Sequence, residues 1–210
     1  MAKLKIAIAN LKGGCGKSTL SLNLASGLIS RGSTALLDAD PQGTLEHWVK
    51  SSDDGMPNVF NASKDVEQAI RDTKDDFDFI VVDCPPSLES GHTKKVLQMV
   101  DLLLIPVLPS PPDLWSSVHM VDAVKEAQKT NSKLKSYLVR NQVESRSALS
   151  KAMKQAIEFC GLPALKSSLS RRASYRWAAL EGISVYQFGA RGATAVDDIE
   201  AIIKEVVKVK

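Results

Sequence analysis

The sequence predicts a doubly wound α/β fold, a mostly parallel sheet flanked by helices. Three observations predict it. Short apolar runs alternate with segments of helical period along the chain, the pattern of parallel strands joined by crossover helices. A glycine-rich turn, Lys12 to Thr19, separates the first run from the first helical segment. Two later runs end in carboxylates, Asp38 and Asp83, and open parallel sheets bind ligands outside the carboxyl ends of their strands.

In order, Leu4 to Ala9 reads as a buried strand, and Leu20, Leu22, Leu24 and Leu28 mark the helix after the turn. Thr34 to Leu37 is a second buried strand that delivers Asp38 and Asp40, followed by Pro41-Gln42-Gly43. Asp53-Asp54-Gly55 and Pro57 mark a loop, Val59-Phe60 a short strand, and Asp65 to Lys74 a helix with Val66, Ala69 and Ile70 on one face. Phe77 to Asp83 is a central strand that Pro85-Pro86 stops, and a helix over 91–100 follows. Leu102 to Val107 is the next apolar run; after the Pro109-Ser110-Pro111-Pro112 turn, a helix over 113–130 takes Asp113 as its N-cap. The second half repeats the alternation: strand at Tyr137 to Val139 ending at Arg140-Asn141, helix over 147–160, short edge strand at Pro163 to Lys166, helix from Arg172 to Glu181 closing at Gly182, and a terminal helix over 193–209.

With 210 residues, 44% hydrophobic and 24% charged, the chain suits one large domain over residues 1–210 that buries its core without staples. Disordered and disulfide-scaffold classes are excluded on composition. The longest apolar run, near Leu102 to Leu108, is too short to span a bilayer, and the start does not read as a signal peptide. A cytoplasmic protein is expected, with Cys15, Cys84 and Cys160 as reduced thiols. Charge is uneven: residues 1–130 hold 13 Lys and Arg against 17 Asp and Glu, whereas residues 131–210 hold 14 against 7. Within 133–176 there are ten basic residues and two acidic ones, which points to a polyanion partner.

The turn Lys12-Gly13-Gly14-Cys15-Gly16-Lys17-Ser18-Thr19 is a phosphate cradle by its chemistry. Successive N–H groups of a glycine-rich turn make an anion-binding concavity, and the helix that follows points its positive end at the same place. Lys17 suits the β- and γ-phosphates and the Ser18 hydroxyl suits Mg²⁺. The usual loop has glycine five positions before Gly16; this chain has Leu11 there, and a second lysine, Lys12, next to it. The string KGGCGKST, with LLDADPQGT and FDFIVVDCPPS, and more weakly SRRASYRWAALEGISVYQF, resembles the ParA/MinD family of deviant Walker A ATPases, closest to its small partitioning and positioning members.

That resemblance implies a P-loop NTPase fold, Mg²⁺ and ATP as cofactors, and slow ATP hydrolysis. Asp40 would orient the attacking water, Asp83 would hold Mg²⁺ through a water, and Asp38 would fix the Mg²⁺ shell or the switch loop. Lys12 would reach across an ATP-dependent homodimer to the partner's phosphates. Asn141 suits an adenine edge and equally a turn. Cys15 and Cys84 fall in adjacent phosphate-site loops and read as small tolerated side chains. Pro109 and Asp113 are expected near the nucleotide without chemistry of their own.

In the basic half, Arg171, Arg172 and Arg176 are close enough to cluster on a helix, and Arg172 stands ten residues before Gly182, as in the family. Non-specific DNA binding through phosphate contacts is the expectation, hence a nucleoid-associated protein. The cradle begins eleven residues in, so no N-terminal DNA-binding extension is expected. An adaptor or centromere-binding protein tied to a cargo would stimulate hydrolysis. The cargo is left open among plasmid, chromosome origin, carboxysome and chemoreceptor cluster. Val196, Ile199, Ile202, Ile203, Val206 and Val207 lie at helical spacing in the terminal helix, which reads as core packing more readily than as the membrane-targeting helix of a MinD-like switch. A metabolic enzyme of the same phosphate-loop group is the other alternative.

Overall fold

The computed structural model describes residues 2–49, 55–88, 91–144, 146–157 and 160–209. Seven strands form one sheet: β1 (Leu4–Ile8), β2 (Thr34–Asp38), β3 (Asn58–Asn61), β4 (Phe79–Asp83), β5 (Leu102–Val107), β6 (Lys135–Val143) and β7 (Ala164–Ser170). Their spatial order is β3-β2-β4-β1-β5-β6-β7, and every pairing is parallel. The central strands are apolar at almost every position because helices cover both faces.

The alternation of side chains sorts them into two cores. Ile6, Ile8, Leu36, Val81 and Leu104 face α1 (Lys17–Leu28), α2 (Thr44–Val49), α7 (Ala173–Leu180) and α8 (Ala193–Val206). Ala7, Leu37, Val82, Leu103 and Ile105 face α3 (Val66–Thr73), α4 (His92–Met99), α5 (Pro111–Gln128) and α6 (Ala148–Ile157). The result is the doubly wound three-layer fold that the sequence predicts.

Four local expectations change. Helix α2 is an element the sequence pattern does not predict. Strands β6 and β7 run well past 137–139 and 163–166. Asp113 is not the N-cap of α5: the helix begins at Pro111 and Ser110 caps it, its hydroxyl accepting from the Asp113 N–H. Proline suits the first helical position because its missing N–H has no partner to lose there, so Ser-Pro-Pro sets the start before Asp113 is reached. Arg171 and Arg172 precede α7 rather than lie on it, leaving only Arg176 on that helix.

In α8 the apolar stripe is used internally. Ile199, Ile202, Ile203 and Val206 are fully buried against the sheet and α1, while Val207 lies outside the stripe and is exposed. The helix also closes the edge of the sheet with its carboxylates: Glu205 accepts the amides of Lys166 and Ser167, and Asp198 accepts that of Ser170. Among the described residues, no helix is long and apolar enough to cross a membrane.

Candidate nucleotide site

Residues 9–16 leave β1 at its carboxyl end and turn straight into α1. The turn needs glycine where φ is positive, at Gly14 (74°) and Gly16 (91°). Gly16 is constrained twice, because a Cβ there would lie 2.2 Å from Asn141 Nδ2. At Gly13 and Gly14 an added Cβ would meet nothing within 4 Å, so that side of the loop is open to a ligand. Leu11 and Cys15 are anchors of the loop. Leu11 packs half-buried on the core under β1 and β5. Cys15 is fully buried, and its thiol donates to the Lys12 carbonyl at 3.3 Å.

Lys17 is buried and its Nζ donates to the same carbonyl at 3.2 Å, which stations the ammonium over the loop. Burial pushes the Cys15 thiol up, against the pull of the nearby Lys17 cation. Burial, reinforced by Asp83, pushes Cys84 up further. Both thiols therefore stay protonated and act as packing groups.

Asp38 and Asp83 are partners in register at the ends of adjacent strands, and both are buried. Asp83 accepts from the Ser18 hydroxyl at 2.7 Å and from Ser21 at 2.9 Å. Burial pushes its carboxyl up to about 7, helped by the charge of Asp38 and opposed by the two serine hydrogen bonds and Lys17. Asp38 is raised by burial too, and it accepts the amides of Asp40 at 3.1 Å and Leu45 at 2.9 Å. It thereby ties the loop 39–43 and the start of α2 to the sheet. Two buried carboxylates beside a serine hydroxyl form a hard-oxygen set that suits Mg²⁺, which binds through one or two such groups plus waters and phosphates. Asp40 is half-buried, with one oxygen accepting the Gln42 amide at 3.0 Å. Its carboxylate belongs to the loop rather than to the buried pair.

Lys12 points back into its own subunit. Its ammonium pairs with Asp113, whose side chain is wholly buried at the start of α5, and the Ser110 hydroxyl contacts the same carboxylate. The expectation of Asp113 as a bystander thus gives way to a role as the seat of Lys12. A helix N-terminus favours a carboxylate there.

Part of the Asn141 carboxamide is engaged by the backbone. Its Nδ2 donates to the Cys15 carbonyl at 2.7 Å and its Oδ1 accepts the Gln142 amide at 2.8 Å, so it staples β6 to the cradle. Next to it, Gln142 adopts φ 52°. It lines a cavity of about 190 Å³ with Gly16, Thr19, Ser170 and Tyr175, contiguous with the cradle and suited to a nucleoside. Of the three arginines, Arg171 pairs with Glu144 at 2.6 Å and Arg172 grips Asp198 through two nitrogens at 2.8 and 3.1 Å. Arg176 is exposed. Sequence reasoning missed Ser21 and the part played by Asp113. The polar position three residues after Ser18, on the same helix face, was the one available signal for Ser21.

Residues 6–185 match the model of the CobQ/CobB/MinD/ParA nucleotide binding domain. The chain is 49% identical over 206 residues to the Halothiobacillus neapolitanus protein called Maintenance of carboxysome distribution protein A, covering 96% of this chain and 95% of the relative. A Gloeobacter kilaueensis protein of the same name is 28% identical over 207 residues, covering 96% and 93%. Among solved structures, an ATP complex of a Cyanothece McdA variant superposes with TM-score 0.76 at 18% identity, over 100% of this chain and 98% of that one. MinD from Pyrococcus horikoshii with Mg-ADP gives 0.71 at 19% identity, over 98% and 96%. With its two-lysine loop and paired strand-end carboxylates, the chain belongs to the CobQ/CobB/MinD/ParA nucleotide-binding family, as a ParA/MinD-type ATPase.

Proposed function

We propose that this ATPase distributes a protein organelle of the carboxysome kind by cycling between an ATP dimer held on DNA and a released monomer. One observation carries the reading: the near-full-length 49% identity to a carboxysome distribution protein. The DNA-binding and adaptor steps, and a nucleoid location, rest on the basic second half of the chain and on what ParA-type resemblance implies.

In the cycle, the open glycine backbone and Lys17 hold the triphosphate, and Ser18 with Asp83 and Asp38 holds Mg²⁺, which neutralises phosphate charge. Asp40 orients water. Lys12 leaves Asp113 and reaches the phosphates of a second copy, so closure of the dimer and completion of the site are one event. In other NTPases a cation supplied in this way changes turnover by about 10³ to 10⁵-fold. An adaptor bound to the organelle then speeds hydrolysis, and the organelle follows the resulting gradient of DNA-bound ATPase. The MinD-like alternative loses support, because the apolar stripe of α8 is spent on the core.

The test compares wild type, Lys12→Ala and Asp40→Ala by light scattering and phosphate release, with ATP or ADP and Mg²⁺. Wild type is expected to dimerise with ATP alone. Lys12→Ala is expected to bind ATP, stay monomeric and not turn over; Asp40→Ala is expected to dimerise and not turn over. Wild-type turnover by a monomeric Lys12→Ala protein would remove the proposal.

A further inference from the structure

The positive charge of residues 133–176 is not distributed as the sequence suggests. Arg171 and Arg172 each hold a carboxylate, Glu144 and Asp198. Another group of cations is gathered elsewhere. Between α6 and the end of the sheet formed by β6 and β7 lies a cleft of about 410 Å³, lined by Arg140, Lys154 and Lys166 over an apolar floor that includes Ile157 and Leu162, with no carboxylate among the described residues of its wall. Lys151 is exposed one turn before Lys154 on α6, on the same side of the helix.

Among the described residues, no ion pair engages Arg140, Lys151, Lys154 or Lys166. Arg140 is half-buried, and its Nη2 donates to the Lys166 carbonyl at 2.6 Å, which pins the guanidinium at the wall with further N–H donors to offer. The nearby acid Glu205 accepts the amides of Lys166 and Ser167 and its charge also attracts the Lys166 ammonium, so it offsets part of the positive charge at this edge. Three like charges in one cleft repel one another unless an anion sits among them.

We infer that this α6–β7 cleft is a phosphate-binding site, and that it carries the DNA contact in the positioning cycle. The inference rests on the DNA-binding reading above and moves the contact away from Arg171 and Arg172. The ligand is the sugar–phosphate backbone of a duplex. Lysines and an arginine without base-reading geometry position phosphates and carry no sequence information, which matches non-specific binding.

The test is fluorescence anisotropy of a short random duplex against KCl with ATP and Mg²⁺, on wild type, on Lys151→Glu/Lys154→Glu/Lys166→Glu, and on the milder Lys154→Gln/Lys166→Gln. Circular dichroism and ATP-dependent dimerisation check that each variant folds and switches. Every phosphate left without its cation takes about 0.9 off the slope of log affinity against log salt, so the triple variant should fall by about 2–3 in slope and the double variant by about 2. Arg172→Ala should leave the slope unchanged. If wild type binds and both cleft variants keep its slope and affinity, the cleft inference falls while the DNA reading stands. If wild type does not bind DNA with ATP, both fall. Cleft-dependent binding to anionic lipid vesicles with undiminished DNA binding would assign the cleft to a membrane and overturn the inference.

Discussion

Replacing Lys12 with alanine should destabilise the nucleotide-free protein before any question of turnover arises. Lys12 neutralises Asp113, whose side chain is 0% exposed, while its own is 36% exposed. Removing one partner of a fully buried pair costs about 3–5 kcal/mol, and an exposed pair contributes about 0–1 kcal/mol. This pair is buried at one end only, and Asp113 keeps the Ser110 hydroxyl and the helix N-terminus after Lys12 is gone. Solvent screening of the ammonium and those remaining partners bring the expected loss to about 1–2 kcal/mol. For a domain of this size that corresponds to a Tm lower by about 3–6 °C.

The decisive measurement is a double-mutant cycle by urea unfolding. Lys12→Ala in an Asp113→Asn background should be nearly silent, since a neutral amide needs no counter-charge, and the coupling should be about 1–2 kcal/mol. A coupling below about 0.3 kcal/mol would mean that the two side chains do not depend on each other, and the seat assigned to Lys12 would be wrong.

Two further outcomes follow from the same geometry. Gly16→Ala forces a side chain into left-handed backbone and against Asn141; a strain of about 1–2 kcal/mol should weaken Mg-ATP binding by about tenfold or more in calorimetry. Arg172→Ala should lower stability by about 1 kcal/mol in urea melts, because its two-nitrogen grip on Asp198 joins the start of α7 to α8 at a partly exposed position.

The central strands were legible because helices on both faces leave little room for polar residues, so β1, β2, β4 and β5 are nearly continuous apolar runs. Strand β6 was legible only near its middle and β7 only at its start. Lys135 and Ser136 at one end of β6, and Ser167, Ser168 and Ser170 in β7, belong to the flank of the sheet, where pairing is set by backbone contacts and by carboxylates from α8. Helix α2 has six residues and no repeating apolar stripe; it is fastened by a bond from the Leu45 amide back to the buried Asp38 at the end of β2. The arginines show the same limit. A run such as Ser170-Arg171-Arg172 reads as free positive charge, yet its counter-ions stand 27 and 26 residues away along the chain. What a local pattern reveals is which groups are present; their neutralisation is decided by distant elements.

That distinction bears most on the loop Lys12 to Thr19, where one stretch carries two roles. On the proposed reading the backbone and Lys17 serve a ligand in the same subunit, and their arrangement follows from local rules: positive φ at two glycines and a helix that starts at Lys17. Lys12 obeys a different constraint. Its partner Asp113 comes from the first turn of α5, 101 residues further on, and is buried by the fold of the single chain. On the proposed cycle, Lys12 must therefore exchange one anion for another: it gives up Asp113 when it takes the partner's phosphates. A carboxylate that loses its cation while buried becomes less stable as an ion, so the α5 N-terminus is put at a disadvantage at the moment of dimer closure. The same residues that seat Lys12 then oppose the closed state, and dimerisation is favoured only while two triphosphates are there to receive the lysines. Loss of the γ-phosphate removes that reward and returns Lys12 to Asp113, which gives the monomer a built-in preference for the post-hydrolysis state without any further contact.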